Sequence, residues 1–173
     1  ADDTAVNDPV RAFAVAVLPT KVYDTDENPV SHRYHHSARV NATLSSDGGS
    51  PTTVRLRWWP TDDAGRVTLT QANFGLPINS GSAVAVDLTG LEAGVSYTYE
   101  LLAENGAGDV TLARKVFTTV PKTTPLVLYA GSAMTGRGDG YGAANAAGDL
   151  QALLDSAVYS GDEIRILAGT NTL

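Results

Sequence analysis

Two alternating strands around a tight corner, between residues 84 and 119, are the feature that most constrains the fold of this chain. Leu91 and Tyr97 stand six positions apart around Ala93-Gly94. At this spacing a tyrosine at the start of a strand can bond its hydroxyl back to the corner, which is typical of β-sandwiches. The stretch therefore predicts an antiparallel sandwich in which Leu91 and Tyr97 form a structural corner.

The strands around this corner repeat with a period of two, the pattern of half-buried strands. The residues predicted to face inward are Ala38, Val40, Ala42, Leu44, Val54, Leu56, Trp58, Val84, Val86, Leu88, Tyr99, Leu101 and Ala103. About seven short strands separated by turns make a sandwich the most economical fold.

The two tryptophans fall on opposite faces of one strand. Trp58 is expected to anchor the core. Trp59 shares the other face with Arg55 and Arg57, and an aromatic ring beside cations can form an exposed stacking surface that binds sugars. Arginine packed over tryptophan is also ordinary on a sheet surface, so a glycan site at Trp59, Arg55 and Arg57 is one of two interpretations.

Composition argues against several functions. The net charge of -7 and a pI near 4.7 argue against nucleic acid, because a phosphate backbone requires a basic patch that this chain lacks. There is no cysteine, so the chain offers no disulfide, thiolate metal site or cysteine nucleophile. No apolar run approaches the ~20 residues that span a bilayer. The chain begins with Ala1 rather than Met, as expected of a processed or excised chain.

Residues 1–36 are expected to form an extended amino-terminal segment with one apolar strand at 10–18. Phe13, Val15 and Val17 alternate with alanines there, so neither face of the strand is polar. Such a strand either packs within its own sandwich or is donated to the sheet of a neighbouring subunit. Phe13, Val15 and Val17 are accordingly candidate strand-pairing residues.

The loop predicted at 19–36 holds every histidine of the chain, His32, His35 and His36. Imidazoles at this spacing can share a metal ion with nearby carboxylates. Zinc sites of this kind normally lie on a helix or include a second fixed pair, and neither is visible. A solvated loop is the expectation, and metal binding by these histidines is the alternative.

The run from residues 37 to 119 resembles bacterial fibronectin type III-like modules. The resemblance rests on ARVNATLSS, DGGSPTTVRLRWW, LTGLEAGVSYTYELLAENGAG and a closing FTT, in that order. The chain departs from such modules at Ala93, where proline is usual, and in a long insertion between Trp59 and Ser82. The resemblance implies a fibronectin type III or immunoglobulin-like β-sandwich that acts as a spacer or recognition unit on secreted and surface proteins, without catalytic residues.

After a two-proline linker at 120–125, residues 126–173 change in character. A buried-type strand, a glycine-rich loop, an amphipathic helix at 145–159 and a closing strand follow one another. This order predicts a small βαβ-like cap, whose closing strand carries Ile164 and Ile166.

The last unit resembles the amino-terminal cap of right-handed parallel β-helix surface proteins, in LVLYAG, Gly138-Asp139-Gly140, DLQALLDSAV and GDEIRILAGTNTL. One coil of such a helix cannot bury its core without a neighbour. The resemblance therefore implies either a chain that continues beyond Leu173 or a final strand, with Ile164 and Ile166, that pairs with another subunit.

The glycine-rich loop contains two motifs that have structural explanations as well. Arg137-Gly138-Asp139 is the tripeptide that integrins read, but a turn in a glycine-rich loop also produces it. Asp139, with Asp149 or Asp162, can ligate calcium, yet no regular ligand spacing supports a site. A structural turn without a metal is the expectation at Asp139.

The chain offers no nucleophile motif and no inward pair of carboxylates, so neither catalysis nor a cofactor is expected. We expect a bacterial-type secreted or cell-surface module, structural or adhesive. Its partners are expected to be proteins, including its own copies, met through strand pairing and surface contacts, with assembly into a filament as one form. The alternatives are an accessory amino-terminal part of a β-helix polysaccharide-degrading enzyme and a carbohydrate-binding module centred on Trp59.

Overall fold

Alternating residues build the strands of the sandwich in the computed structural model. The structure describes residues 22–23, 30–106, 108–111 and 114–168. The strands are β1 (Val22–Tyr23), β2 (Val30–Ser31), β3 (Ser37–Leu44), β4 (Thr53–Pro60), β5 (Thr68–Gln71), β6 (Ala83–Thr89), β7 (Ser96–Asn105), β8 (Gly108–Thr111) and β9 (Lys115–Thr118). A single 3-10 turn, Asn73–Gly75, lies between β5 and β6.

These strands form two antiparallel sheets. In the four-stranded sheet, β3 has β6 on one side, and β1 and β2 lie one after the other along its opposite edge. The five-stranded sheet has the order β5-β4-β7, and β8 and β9 follow each other along the remaining edge of β7. This arrangement is an antiparallel β-sandwich, which confirms the predicted fold class of residues 37–119.

The core of the sandwich lies between the two sheets. Val40, Leu56 and Leu88, one from each of three strands, are 1%, 0% and 1% exposed. The remaining buried members are Ala38, Ala42, Leu44, Val54, Ala72, Val84, Val86, Leu91, Tyr97, Tyr99, Leu101, Ala103 and Phe117. The half-buried Trp58 packs against them. The inward faces expected from the alternation are therefore correct.

The expected loop at 19–36 is partly strand. Val22–Tyr23 and Val30–Ser31 form β1 and β2, because their backbone groups pair with β3. Each of these strands is only two residues long, which is too short for an alternating pattern to be recognised in the sequence.

The closing strand expected at 109–119 is divided into β8 and β9. Thr111 lies opposite Leu102, whereas Lys115 lies opposite Tyr99. The registers of β8 and β9 against β7 therefore differ by one residue.

A strand–helix–strand unit follows the sandwich. Its elements are β10 (Val127–Ala130), a 3-10 turn at Ala143–Asn145, α1 (Leu150–Ala157) and β11 (Glu163–Ile166). β10 and β11 are parallel, with Leu128 opposite Ile164. A second core is formed by Tyr34, Leu126, Leu128, Ala130, Ala147 and Leu153. The order of elements matches the expectation, while the resemblance to a β-helix cap stays a prediction.

The helix α1 is shorter than the predicted 145–159. The Ala147 N–H donates to the Tyr129 carbonyl at 2.9 Å, so the backbone at Ala147 pairs with β10 and cannot form part of the helix. The helix begins only after Asp149, whose carboxylate accepts from the Ala152 N–H at 2.9 Å as an N-cap. Within the described part of the chain, no helix has the length and apolar character needed to cross a membrane.

Two tyrosines on the inward face of β7 differ in their hydroxyls. The Tyr97 hydroxyl accepts from the Glu92 N–H at 2.8 Å and so closes the corner beside Leu91, which is 2% exposed. Tyr99 is also 2% exposed, but its hydroxyl has no hydrogen-bond partner among the described residues. Burial raises the pKa of Tyr99 to about 12. Only the first hydroxyl therefore offsets the free-energy cost of its own burial.

We expect Tyr97→Phe and Tyr99→Phe to affect stability differently. Tyr97→Phe leaves the Glu92 N–H without its acceptor and should lower the free energy of unfolding by about 1 kcal/mol. Tyr99→Phe removes a buried hydroxyl without a partner, so the free energy of unfolding should stay unchanged or rise. Urea unfolding followed by circular dichroism measures both, and equal losses in the two variants would contradict the distinction.

Candidate functional site

The segment 34–36 (Tyr-His-His), immediately before β3, lies between the sandwich and the strand–helix–strand unit. Its first carbonyl accepts from the Val120 N–H at 3.1 Å, and its last carbonyl accepts from the Leu91 N–H at 3.0 Å. Asp139 and Asp162 of the second unit contact the same segment. We call segment 34–36 with Asp139 and Asp162 the joint, and we take it as the candidate functional site.

The carboxylate of Asp162 collects three donors from different parts of the chain. It accepts from the Leu126 N–H at 2.8 Å, from the Tyr159 N–H at 2.7 Å and from His35 Nε2 at 3.2 Å. Burial raises the pKa of Asp162, but these hydrogen bonds outweigh burial and hold the pKa below its usual value. Asp162 therefore ties the start of β10 and the end of α1 to His35, which lies between β2 and β3 of the sandwich.

The imidazole of His35 is inside the joint, with 1% of the residue exposed. Nδ1 lies 3.0 Å from the Val120 carbonyl, and Tyr159 packs against the ring at 5.6 Å between centroids. The expected solvated loop is therefore wrong at His35, because its polar partners satisfy it within the protein. With both nitrogens occupied and no access to solvent, the His35–Asp162 pair cannot serve as a general base.

The other two histidines lie at the rim of the joint and are half-buried. His36 Nδ1 donates to the Leu91 carbonyl at 2.8 Å. His32 adopts a φ of 48°, and burial, followed by the charge of Arg39, lowers its pKa. Within the described ranges, no three His, Cys, Asp or Glu side chains are grouped to hold a metal. The carboxylates at 24–27 lie outside these ranges, so metal binding by the histidines stays untested.

Tyr34 connects the joint to the glycine-rich loop. Its hydroxyl donates to the Asp139 carbonyl at 2.7 Å, and its ring stacks on Tyr141 at 5.9 Å. Asp139 is 5% exposed, and its carboxylate accepts from the Tyr141 N–H at 3.0 Å. The aspartate of Arg137-Gly138-Asp139 thus belongs to a buried turn, as in the structural interpretation, and is not presented to a receptor.

A groove of about 590 Å³ opens beside the joint, between the sandwich and α1. His32, Arg39 and Asp87 line its sandwich side, and Met134 and Ala152 line the other. The guanidinium of Arg39 donates to the Asp87 carboxylate at 2.6 and 2.9 Å. The two charges of this pair cancel, and Asp149, the N-cap of α1, adds a further carboxylate to the lining of the groove.

Trp59 lies on the outer face of the five-stranded sheet, yet it is only 6% exposed. The guanidinium carbons of Arg114 and Arg57 lie 5.2 and 5.9 Å from its ring centroid. Both arginines also pair with Glu100, which fixes them over the ring. The expected exposed stacking surface is therefore wrong, because the arginines occupy the place that a sugar would need.

The remaining residues of the predicted glycan site are engaged in ion pairs. Arg55 pairs with Glu104 at the edge of the same face. The hydrogen bond from Arg57, aided by Arg114, lowers the pKa of Glu100 despite its burial. Sequence analysis missed Glu100, since only the β4–β7 register places it opposite Arg57.

The candidate strand-pairing residues fall into two groups. Phe13, Val15 and Val17 lie outside the described residues. Ile164 packs half-buried against the second core, and Ile166 is 58% exposed. Of these candidates, Ile164 and Ile166 of β11 lie in the described part of the chain.

The roles of Tyr34 and Asp162 were missed, although Asp162 had a local signal. An aspartate just past a helix often accepts from a nearby turn N–H, as Asp162 does from Tyr159. Its contact with His35 spans 127 residues and has no such signal.

No family model and no curated protein matches the chain. Among solved structures, it is similar to the sensor domain of the anti-sigma factor RsgI4 in Pseudobacteroides cellulosolvens, at 17% identity and a TM-score of 0.45, covering 60% of this chain and 96% of that one. It is also similar to the third fibronectin III domain of human KIAA0343 protein, at 19% identity and a TM-score of 0.40, covering 60% and 81%. It is similar as well to the FN3 domain of human collagen XX, at 17% identity and a TM-score of 0.40, covering 58% of this chain and 88% of that one. Likenesses of this strength carry no argument about function.

We expect Asp162→Ala to destabilise the chain strongly. The change leaves His35 and two backbone N–H groups without their shared acceptor and should lower the free energy of unfolding by about 3 kcal/mol. Asp87→Ala is the matched control, because it breaks the partly exposed ion pair with Arg39 and should cost less than about 1 kcal/mol. Urea unfolding gives both values, and similar losses of unfolding free energy in the two variants would contradict the structural role of Asp162.

Acid should remove the contribution of Asp162. Because its pKa is lowered in the folded chain, its stabilisation is complete above the ordinary aspartate range and is lost as pH falls through the lowered pKa. The stability difference between the unchanged chain and Asp162→Ala should therefore narrow below about pH 4. Thermal unfolding across this range measures it, and a constant difference down to about pH 2 would contradict an ionised Asp162.

Proposed function

We propose that the chain is a non-catalytic structural or adhesion module of a secreted or cell-surface protein, in which the sandwich holds the strand–helix–strand unit in a fixed orientation. The observation that carries this proposal is the joint, whose buried hydrogen bonds link the two cores. A spacer or presenting module needs such a rigid connection, whereas a flexible linker would leave the two units to reorient.

The proposal extends to strand addition at β11. Ile164 and Ile166 share one face of the strand, because residues two apart point the same way. Ile166 is nevertheless 58% exposed, while Ala130, opposite it in β10, is 0% exposed. Parallel sheets are normally covered on both faces. A further strand or coil beside β11 would supply the missing cover for Ile166.

Two sources can supply that strand. If it belongs to the same polypeptide, the unit would be the start of a β-helix-like surface protein or an accessory part of a polysaccharide-degrading enzyme. If it belongs to another copy, the chain would assemble into a filament. The parallel register of β10 and β11 supports both forms, because coils of a β-helix add parallel strands. The burial of Trp59 removes the observation that favoured a sugar-binding module.

Assembly through β11 predicts association that depends on concentration and salt. The net charge of -7 opposes contact between copies, so association should increase as salt screens the repulsion. Ile166→Lys places a charge on the uncovered face and should keep the chain monomeric under conditions where the unchanged chain associates. Light scattering during size-exclusion chromatography measures the mass.

Met134→Lys is the matched control for charge. Met134 is 66% exposed, but it lies in the groove and not on the sheet, so this variant should associate as the unchanged chain does. A chain that stays monomeric at every concentration of protein and salt would contradict self-assembly. An equal effect of Ile166→Lys and Met134→Lys on the measured mass would contradict the role of β11.

A further inference from the structure

β5 is the last strand on its side of the five-stranded sheet, and no described residue pairs with its outer edge. The Ala72 N–H donates to the Val54 carbonyl at 2.9 Å, and the direction of bonding alternates along an antiparallel strand. The N–H and carbonyl groups of Leu69 and Gln71 therefore point away from β4, towards the open edge. Leu69 is also 58% exposed, so this edge presents an apolar side chain together with its free backbone groups.

Edge strands of a sheet are normally protected from pairing by charged side chains. Of the described edge strands in the sandwich that are at least four residues long, β6 carries Asp87, β8 carries Asp109 and β9 carries Lys115. The edge of β6 is covered further by Asn73, whose side-chain amide donates to the Ala83 carbonyl at 3.0 Å. β5 has the sequence TLTQ and carries no charge. It is therefore the edge of the sandwich best suited to accept another strand.

β11 has an open edge of the same length. The N–H groups of Glu163 and Leu167 donate to carbonyls on the β10 side, at 2.9 and 2.8 Å. Because the direction of bonding also alternates along a parallel strand, the backbone groups of Ile164 and Ile166 point away from β10. Each of the two edges thus offers the hydrogen-bonding groups of two residues.

We propose that β11 of one copy of the chain adds to β5 of the next, antiparallel, with Ile166 opposite Leu69 and Ile164 opposite Gln71. Two residues whose backbone groups point at the shared edge lie directly opposite each other only in an antiparallel pair. In this register Ile166 and Leu69, each 58% exposed in the single copy, cover one another. The inference rests on the proposed assembly through β11 and names the surface that receives the strand.

The charges favour this pairing over the pairing of two identical edges. Two antiparallel β11 strands in full overlap would place Arg165 opposite its counterpart in the second copy, and like charges directly opposite one another are destabilising. Against β5, Arg165 lies opposite the uncharged Thr70. Two β5 strands could pair without such a conflict, but Ile166 would stay exposed on both copies. Because β5 and β11 are different surfaces, their pairing can repeat from copy to copy, as a filament requires.

Single cysteines test the pairing, because the chain has no cysteine of its own. Leu69→Cys and Ile166→Cys would place two thiols on directly opposite residues, whose Cα atoms, about 5.5 Å apart, lie within disulfide range. The two variants, one of them isotope-labelled, are mixed in a glutathione redox buffer, and mass spectrometry follows the mixed disulfide-linked dimer. Val116→Cys is the matched control for Leu69→Cys. Val116 is also 58% exposed on the outer face of the same sheet, but it lies in β9 beside Lys115.

The mixed dimer of Leu69→Cys and Ile166→Cys should form at least about tenfold faster than that of Val116→Cys and Ile166→Cys, because pairing raises the effective concentration of the two thiols. Equal rates overturn β5 as the acceptor, and so does a faster dimer between two copies of Leu69→Cys. A disulfide within one chain that carries both Val15→Cys and Leu69→Cys would assign the edge of β5 to the chain's own segment 10–18. That result also overturns the proposal.

Light scattering separates a failure of this pairing from a failure of assembly. Leu69→Lys should reduce association as Ile166→Lys does, whereas Val116→Lys should leave it unchanged. Association that Ile166→Lys abolishes and Leu69→Lys does not affect contradicts the role of β5 alone. An unchanged chain that is monomeric at every concentration contradicts the proposed assembly as well.

Discussion

The relative placement of the two cores depends on the carboxylate of Asp162. Apolar burial builds each core, one between the sheets of the sandwich and one beside β10 and α1, but the hydrophobic effect has no direction. Hydrogen bonds do have direction, and Asp162 accepts them from Leu126, Tyr159 and His35. These three donors lie on different segments, so their common acceptor fixes an orientation. Tyr34 strengthens the link, because it lies between β2 and β3 of the sandwich and packs in the second core.

Sequence periodicity predicted which face a residue occupies but not what covers that face. Leu56 was expected inside and Trp59 on the opposite face, and both placements are correct. The burial of Trp59 depends on Arg57, Arg114 and Glu100, which meet only when β4 and β7 pair in the observed register. That register is set by the packing of whole sheets, so a local pattern cannot predict the cover.

The contacts of the joint could not be predicted from the sequence for a related reason. The Tyr97 hydroxyl bonds five residues back along the chain, so its whole geometry is local and its spacing can be recognised. The His35–Asp162 contact spans 127 residues and depends on the folded positions of both units. The boundary of α1 failed in the same way, because pairing of Ala147 with β10 overrides the helix propensity of an alanine-rich segment.

The two kinds of sheet edge explain why contacts are expected at the second unit. The sandwich interrupts one edge of each sheet with a pair of short strands, β1 with β2 and β8 with β9, and short edge strands are poor templates for pairing. β11 ends a parallel pair and leaves Ile166 uncovered on the face that its neighbours bury. A strand added there would take its direction from β11, and the joint sets that direction relative to the sandwich. In the proposed assembly, the hydrogen bonds that Asp162 accepts would set the orientation of each added copy, and the apolar strand would hold that copy in place.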